Sequence, residues 1–582
     1  MTEERVIPNR GSTEQPRFEV LVDNERLPLE TPIHALHVWK EFNRISGARI
    51  ILLDGDASEE DFEWSSSDYL EPGKEIEIKA GYDQGTETIF KGIIVTHKIK
   101  IRAYADPWLT IECRDKAYKM SLGRKNRYYF DMPDSDIIDQ ILQEYSITGE
   151  ITDTAFTHKQ MVQYQSTDWD FMVMRAEANG MFVLPDDGTL KMVNPDVSAE
   201  AEFSVLFGAS MIEFDGELDA RIQSEKTEAI GWDYASQDIS SVENGTITEA
   251  GISNNSSTQL AQSTGYETNS IRNSGLNDDA ELQLLADGKQ NRIANTKIRG
   301  RAKFTGNPTV KPGVVLDLQG LGRRMNGSTI VWGVRHEFEN GVWTTNAVLG
   351  TKEKFFHEEN KISESQASGL LPPVHGLEIG KVTALEGDPD NEYRIRVKVP
   401  ILDNEDEGVW ARICTLDAGV YRGTFFRPEI DDEVIVGYIN DDPRNAIVLG
   451  MLNSSAKSAP SENSDDNHEK GLVTRSGMKV WFDDDKVDMV LETPNGNSIT
   501  LSDNDGKITI EDENGNTGVF DSSGISFDSP NDISITAQGD ITLEGMNVTV
   551  NANAQLKASG SAGAELSSGA ATIIQGSIIQ IN

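Results

Sequence analysis

Apolar and polar residues alternate with period two along much of the first 130 positions. In residues 74–80, Ile76 and Ile78 alternate with Glu75, Glu77 and Lys79. That spacing puts one set of side chains on each face of a strand. Phe18, Val20 and Leu21 begin another strand, and residues 88–96 and 109–113 are further runs of β-branched and apolar residues. Turn signals at Pro72-Gly73 and Asp83-Gln84-Gly85 separate these runs. The period then changes. In residues 135–145, Ile137, Ile138, Ile141, Leu142 and Tyr145 share one helical face, with Ser135 placed to cap the exposed amides. Residues 167–179 predict a second helix, with Thr167 and Asp170 spaced as a capping box and Gly180 at C′. A third helix is expected from Asp278 to about Ala294. Residues 235–275, rich in Ser, Asn, Gly and Thr, show no apolar period and read as a long loop. Strands resume over residues 313–349.

Residues 358–375 read as a linker, polar first and then Leu370-Leu371-Pro372-Pro373. A compact all-β stretch covers 376–452, and a second polar linker covers 453–470. The last region, 471–582, carries apolar pairs two residues apart: Met489/Leu491, Ile499/Leu501, Ile508/Ile510, Ile525/Phe527, Ile533/Ile535, Ile541/Leu543 and Val548/Val550. Their spacing shrinks from ten and nine residues to about eight, with one double-length gap after Ile510. One short strand plus one turn cannot bury an apolar face alone. A solenoid that encloses its own core needs about 20 residues per coil. Eight residues give a strand of roughly 25 Å, enough for one wall. Three chains, each supplying one wall, would close a triangular prism, so the pattern predicts a homotrimeric intertwined β-helix. Residues 541–582 contain only three charged side chains, Glu544, Lys557 and Glu565, and run into Ile578-Ile579-Gln580-Ile581-Asn582. An apolar last strand leaves a blunt end that needs a cover.

Composition narrows the classes. The 582 residues hold 96 Asp+Glu against 53 Lys+Arg, a net charge of −43, the opposite of a nucleic-acid binder's basic footprint. The length suggests about four domains. No apolar run approaches the ~20 residues that span a bilayer. The opening residues lack the apolar stretch of a signal peptide, so synthesis in the cytoplasm is expected. Cys113 and Cys414 lie in separate strand patterns and are expected to be buried free thiols, neither a disulfide nor a metal pair. Region 471–582 holds 5 Lys+Arg and 16 Asp+Glu, almost all before residue 540. An acidic shaft thus precedes a nearly neutral tip.

No catalytic constellation stands out. His-Glu occurs at His336-Glu337, His357-Glu358 and His468-Glu469, none with a second His four positions on. There is no nucleophile elbow, phosphate loop or C-x-x-C. The acidic segments 54–61 and 388–392 lack the sixth-position Gly of a calcium loop and read as solvated turns. His34 and His37, near Trp39, and His97 read as packing residues. No catalytic residue, cofactor or metal ligand is assigned.

The residues resemble a known family, the VgrG-type spike of contractile injection systems (type VI secretion and phage-tail-like particles), together with the phage tail hub and spike. Phe42-Asn43-Arg44-Ile45-Ser46-Gly47-Ala48 with Leu53-Asp54-Gly55-Asp56, and Pro72-Gly73 with Ile89-Phe90-Lys91-Gly92-Ile93-Ile94, resemble the opening hub strands. The most specific hub motif is Gln163-Tyr164-Gln165-Ser166-Thr167-Asp168-Trp169-Asp170-Phe171 leading into Arg175-Ala176-Glu177-Ala178-Asn179-Gly180. Trp410-Ala411-Arg412-Ile413, Ala418-Gly419, Pro428-Glu429-Ile430-Asp431-Asp432-Glu433-Val434, Asp442-Pro443 and Ile447-Val448-Leu449-Gly450 resemble the family's OB-fold module. The sequence departs from the pattern at Asp431 and Asp441, usually Gly, and at Ala446, often Pro, where turn geometry is at stake.

The resemblance implies a mainly β protein. It would have a hub of β-barrels with helical insertions (1–370), an OB-fold (376–452), a linker (453–470) and a triple-stranded β-helix needle (471–582). It implies a homotrimer whose hub seats on a hexameric inner tube and baseplate, carries effector cargo and pierces a target membrane. A PAAR-repeat-type tip protein would sit on the blunt end, with Ile573, Ile574, Ile578, Ile579 and Ile581 as its expected interface. Only about 18 linker residues lie between OB-fold and needle, and nothing follows Asn582. Both features point to a purely mechanical spike of bacterial origin. Two other classes compete: a tailspike-like polysaccharide-degrading enzyme and a calcium-dependent surface adhesin. The absence of aromatics after Phe527 weighs against the first, and the absence of the calcium repeat against the second.

Overall fold

A computed structural model of the chain describes residues 5–7, 15–82, 85–275 and 278–581. It divides into two compact units, Met1–Val374 with Asn440–Pro443, and His375–Ile439 with Arg444–Asn582.

Among the described residues, the first unit is built on one sheet of fourteen strands that folds around two separate cores. The expected alternation of Ile76 and Ile78 forms the strand Glu75–Tyr82, with both side chains buried beside Val20 and Phe90. A second core gathers Phe203, Phe304, Leu316 and Val334. The long strand Gly327–Glu339 serves both, placing Val331 and Val334 in one core and Phe338 in the other. The turn expected at Asp83-Gln84 lies outside the described residues.

The helices form where the period predicts, with one change of cap. Asp134–Glu144 buries Ile137, Ile138, Ile141 and Leu142, but Ser135 lies inside the helix and does not cap it. Instead its backbone N–H donates to the hydroxyl of Thr154, 3.0 Å away. Asp168–Ala178 is capped by Thr167, whose hydroxyl accepts from the Asp170 N–H, and Gly180 follows at φ +68°. Asp279–Ala294 crosses that point so closely that a Cβ on Gly288 would stand 2.7 Å from the Gly180 Cα. A helix-interior glycine, costly against alanine by about 1 kcal/mol, is therefore placed by packing.

The long loop expected over 235–275 is not one. It contains the strand Asp238–Glu243, the helix Ser257–Thr264 and the strand Thr268–Arg272. Both strands pair with Lys226–Asp233, and the sheet rests on the helix Asp279–Ala294 through Ala229, Leu282 and Ala286. Backbone pairing and a Ser256/Gln259 capping box stabilise elements too polar to show an apolar period. Cys113 is buried as expected, and burial pushes its thiol far up. Cys414 is exposed, a correction that follows from its place just beyond the last residue of the barrel strand Val409–Ile413.

The hub-like motif 163–180 is a buried polar lattice. Asp134 accepts two parallel hydrogen bonds from Arg175, at 2.7 and 2.8 Å, and others from Asn179 and His158. Burial acts to raise its pKa, but the bonds from Arg175 and His158 hold the carboxyl well below the usual carboxylate range. Glu177 accepts from Arg292, from Asn43 and from the Phe356 N–H, and so ties two helices to the turn between the strands Ile33–Glu41 and Gly47–Leu53. Asp168 accepts from Lys125, Tyr145 and Gln163. Buried pairs of this kind add little net stability when complete, but breaking one leaves an uncompensated charge. Arg175→Ala is expected to cost the first unit about 3–5 kcal/mol, read as a lower midpoint of denaturant unfolding. A carboxyl held low in the folded state stabilises fully above its unfolded pKa, near 4, and loses that contribution as pH falls. The gap between wild type and variant is therefore expected to narrow below about pH 4.

Candidate functional site

The second unit opens with a closed five-stranded barrel, Glu378–Ala384, Ile395–Lys398, Val409–Ile413, Ala446–Met451 and Glu433–Tyr438 in spatial order. Val382, Val397, Ala411, Val434 and Val448 fill it. Asp431 and Asp441 adopt φ of +71° and +54°, the left-handed conformation that glycine takes freely. Lys381 pairs with Asp431 at 2.8 Å.

The acidic turns use their own carboxylates. Asp388 accepts from the backbone of Asp390, Glu392 and Arg394 and from the Arg394 guanidinium. Asp54 accepts from the Trp64 and Ser65 N–H groups. His34 packs at a tilt against Trp108, His37 meets Glu339 at 2.7 Å, and His97 bonds Ser65 and the Leu70 carbonyl.

The apolar pairs become a surface. Seven strands from Glu469–Val473 to Gly524–Asp528 form an antiparallel meander, each five residues long. Positions two and four of every strand face one side. Cross-strand register lines them into two columns. One column runs Phe482, Met489, Leu501, Ile508, Phe520 and Ile525. The other runs Val480, Leu491, Ile499, Ile510, Gly518 and Phe527. The double-length gap after Ile510 is therefore a real rung: Thr517–Asp521 contributes Gly518 and Phe520. Gly518 makes room for Phe527, whose ring would stand 3.2 Å from an added Cβ. Turns between strands close on their own side chains, as where Asp512 accepts from the Asn514 and Asn516 N–H groups.

Within one chain this face has no cover. Its large side chains from Met489 to Phe527 are each 36–68% exposed. After Asp528 the apolar pairs continue, yet among the described residues no further strand forms. Ile533, Ile535, Ile541, Leu543, Val548 and Val550 are all more than half exposed, as are Ile573, Ile574, Ile578, Ile579 and Ile581. Backbone groups need partners wherever water is excluded, and here this chain supplies none. The sequence carried the repeat but not its two-column register, because Gly518 hides one rung.

Comparison with known proteins follows the same divisions. A family model for the Alg8 N-terminal domain matches residues 12–340. A model for the type VI secretion system/phage-baseplate injector OB domain matches 378–452, and one for the phage baseplate V C-terminal trimerisation domain matches 488–557. The chain belongs to the Alg8 N-terminal domain family, and its other family matches and curated relatives are those of VgrG-type spike proteins. It is 27% identical over 201 residues to the type VI secretion system spike protein VgrG1b of Pseudomonas aeruginosa, covering 32% of this chain and 26% of that one. It is 25% identical over 207 residues to VgrG3 of Vibrio cholerae, covering 31% and 19%. The match thus spans about a quarter or less of each relative. Among solved structures, the E. coli c3393 protein of the type VI secretion system is similar at 12% identity, with a TM-score of 0.38 over 74% of this chain and 99% of that one.

The similarity to VgrG-type spike proteins is consistent with the architecture: a mainly β chain with helical insertions, a closed five-stranded OB barrel and a C-terminal strand repeat. Leu501 and Ile508 lie opposite each other in the middle of one column. On a water-facing sheet, Leu501→Asp with Ile508→Asp would change stability by only about ±0.5 kcal/mol each. We expect instead that the pair abolishes chain association, measured by sedimentation.

Proposed function

We propose that this chain is the homotrimeric central spike of a contractile injection system, a mechanical part and not an enzyme. The observation that carries the reading is the uncovered double column of apolar residues, continued after Asp528 by apolar pairs with no strand partner in the chain. Two further copies would cover the columns and complete the backbone pairing, and the match to a trimerisation domain over 488–557 supports that number. The relatives' own description as spike proteins supports the role.

The proposed division is a hub (1–370), an OB-fold collar (376–452), a linker (453–470) and a needle (471–582). The hub seats on the hexameric inner tube and baseplate, and the needle transmits the thrust of contraction and punctures the target membrane. Its stiffness comes from inter-chain ladders and stacked apolar rungs. The chain is made in the cytoplasm, assembled into the apparatus and expelled with effector cargo. A PAAR-repeat-type protein covers the tip at Ile573, Ile574, Ile578, Ile579 and Ile581. The enzyme and adhesin readings have no observation in their favour.

Native mass measurement is expected to give a species of three chains that resists denaturant, and a monomer at micromolar concentration would overturn the proposal. Removing residues 531–582 is expected to abolish binding of the tip protein while the first unit stays folded. A truncated chain that still binds the cap would refute the tip assignment.

A further inference from the structure

The first unit of this acidic molecule carries a row of three cations without ion-pair partners among the described residues, and the row sits at an open edge. The strand Gly85–Arg102 pairs with Glu75–Tyr82 only as far as Ile93. Its other side pairs with Ala105–Arg114 to the end of the hairpin. From residue 95 on, its outer edge has no strand beside it among the described residues. Here Lys98, Lys100 and Arg102 recur every second residue, and none forms an ion pair among the described residues. Register places Lys98 and Lys100 opposite Thr110 and Trp108 on the sheet's outer face, while His97 and Ile99 lie opposite the core residues Ile111 and Leu109. Lys100 and Arg102 lie over the Trp108 ring, at 6.0 and 5.8 Å from its centre. At the hairpin end Ile101 and Tyr104 are exposed, at 68% and 109%.

A second open edge carries the opposite charge. Met211–Leu218 pairs with Ile298–Thr305 on one side and with no described strand on the other. Phe214 and Leu218 pack on the core, so Glu213, Asp215 and Glu217 face outward, all exposed. Behind them, on the paired strand, stand Arg299 opposite Glu217 and Arg301 opposite Asp215. Acidic residues on an edge ordinarily repel a second strand. A strand bearing cations at the same two-residue interval reverses that, because cross-strand opposite charges attract and like charges repel.

We propose that the edge of Gly85–Arg102 in one copy docks on the edge of Met211–Leu218 in the next, so that the sheets of neighbouring hubs join edge to edge. The row Lys98, Lys100, Arg102 then lies against Glu213, Asp215, Glu217, which becomes an acidic stripe between two basic ones. Both rows lie on outer faces, so joining the edges keeps the faces aligned. The central pair, Lys100 with Asp215, is opposite whether the strands run parallel or antiparallel. The inference rests on the trimeric reading, since it needs a second copy of this chain.

The test is a cysteine pair, Lys100→Cys with Asp215→Cys, in the full chain with the exposed Cys414→Ser. Directly opposed strand residues bring Cβ atoms about 4.5–5.5 Å apart, within reach of a disulfide after small adjustment. After oxidation, denaturing non-reducing electrophoresis is expected to show covalent species of two and three chains. Adding Lys98→Glu with Arg102→Glu is expected to cut their yield at least tenfold, and further adding Glu213→Lys with Glu217→Lys to restore it. A chain of trimeric native mass that forms no such species refutes the edge contact alone. A chain of monomeric native mass refutes the trimer and the contact together.

Discussion

A peptide group that leaves water must find a hydrogen-bond partner, and the rest of this molecule is arranged around that demand. In the first unit the partners are internal: a broad sheet wraps two cores, and a lattice of carboxylates and guanidiniums closes the helical insertions onto it. In the barrel the sheet meets itself through the parallel pairing of Val409–Ile413 with Ala446–Met451. Down the repeat the internal supply runs out. As far as Asp528 the chain folds back on itself, through turns of two to five residues. Beyond it the same alternation of apolar residues survives, but among the described residues the fold-back does not.

The sequence revealed much of this because most of the elements have a simple period. Ile76 and Ile78 announced a strand, and Ile137, Ile138, Ile141 and Leu142 a helix. The strand Asp238–Glu243 stayed hidden because none of its side chains is buried and it is held by backbone pairing with Lys226–Asp233. The cap of Asp134–Glu144 was misread because its donor finds Thr154, nineteen residues away, and no local pattern encodes a distant hydroxyl. Gly518 concealed a rung because a glycine in a ladder looks like a turn until its neighbour's ring is seen lying over it. The polar partners of the 163–180 motif were equally silent, since Arg175 and Asp134 are far apart in sequence and meet only through the packing of two helices.

The charge of −43 also changes meaning with structure. On the surface it keeps long β-edges from associating at random. Against that background the three cations of Lys98, Lys100 and Arg102 are conspicuous, because nothing within the described chain neutralises them. Such a local exception lets one acidic surface meet another without repulsion.

The meander from Glu469 to Asp528 pairs only neighbours in sequence, and each hairpin closes with a short loop. Such local contacts form quickly, and they need no second chain. The segment beyond Asp528 has no such independence: on the trimeric reading it gains order only when three chains are already held side by side. Assembly then acquires a direction. The self-paired strands form first and set the phase of their rungs, the silent Gly518 rung included, and the remaining strands close like a zip toward the end. A chain caught before that point would carry a folded shaft and an unformed point.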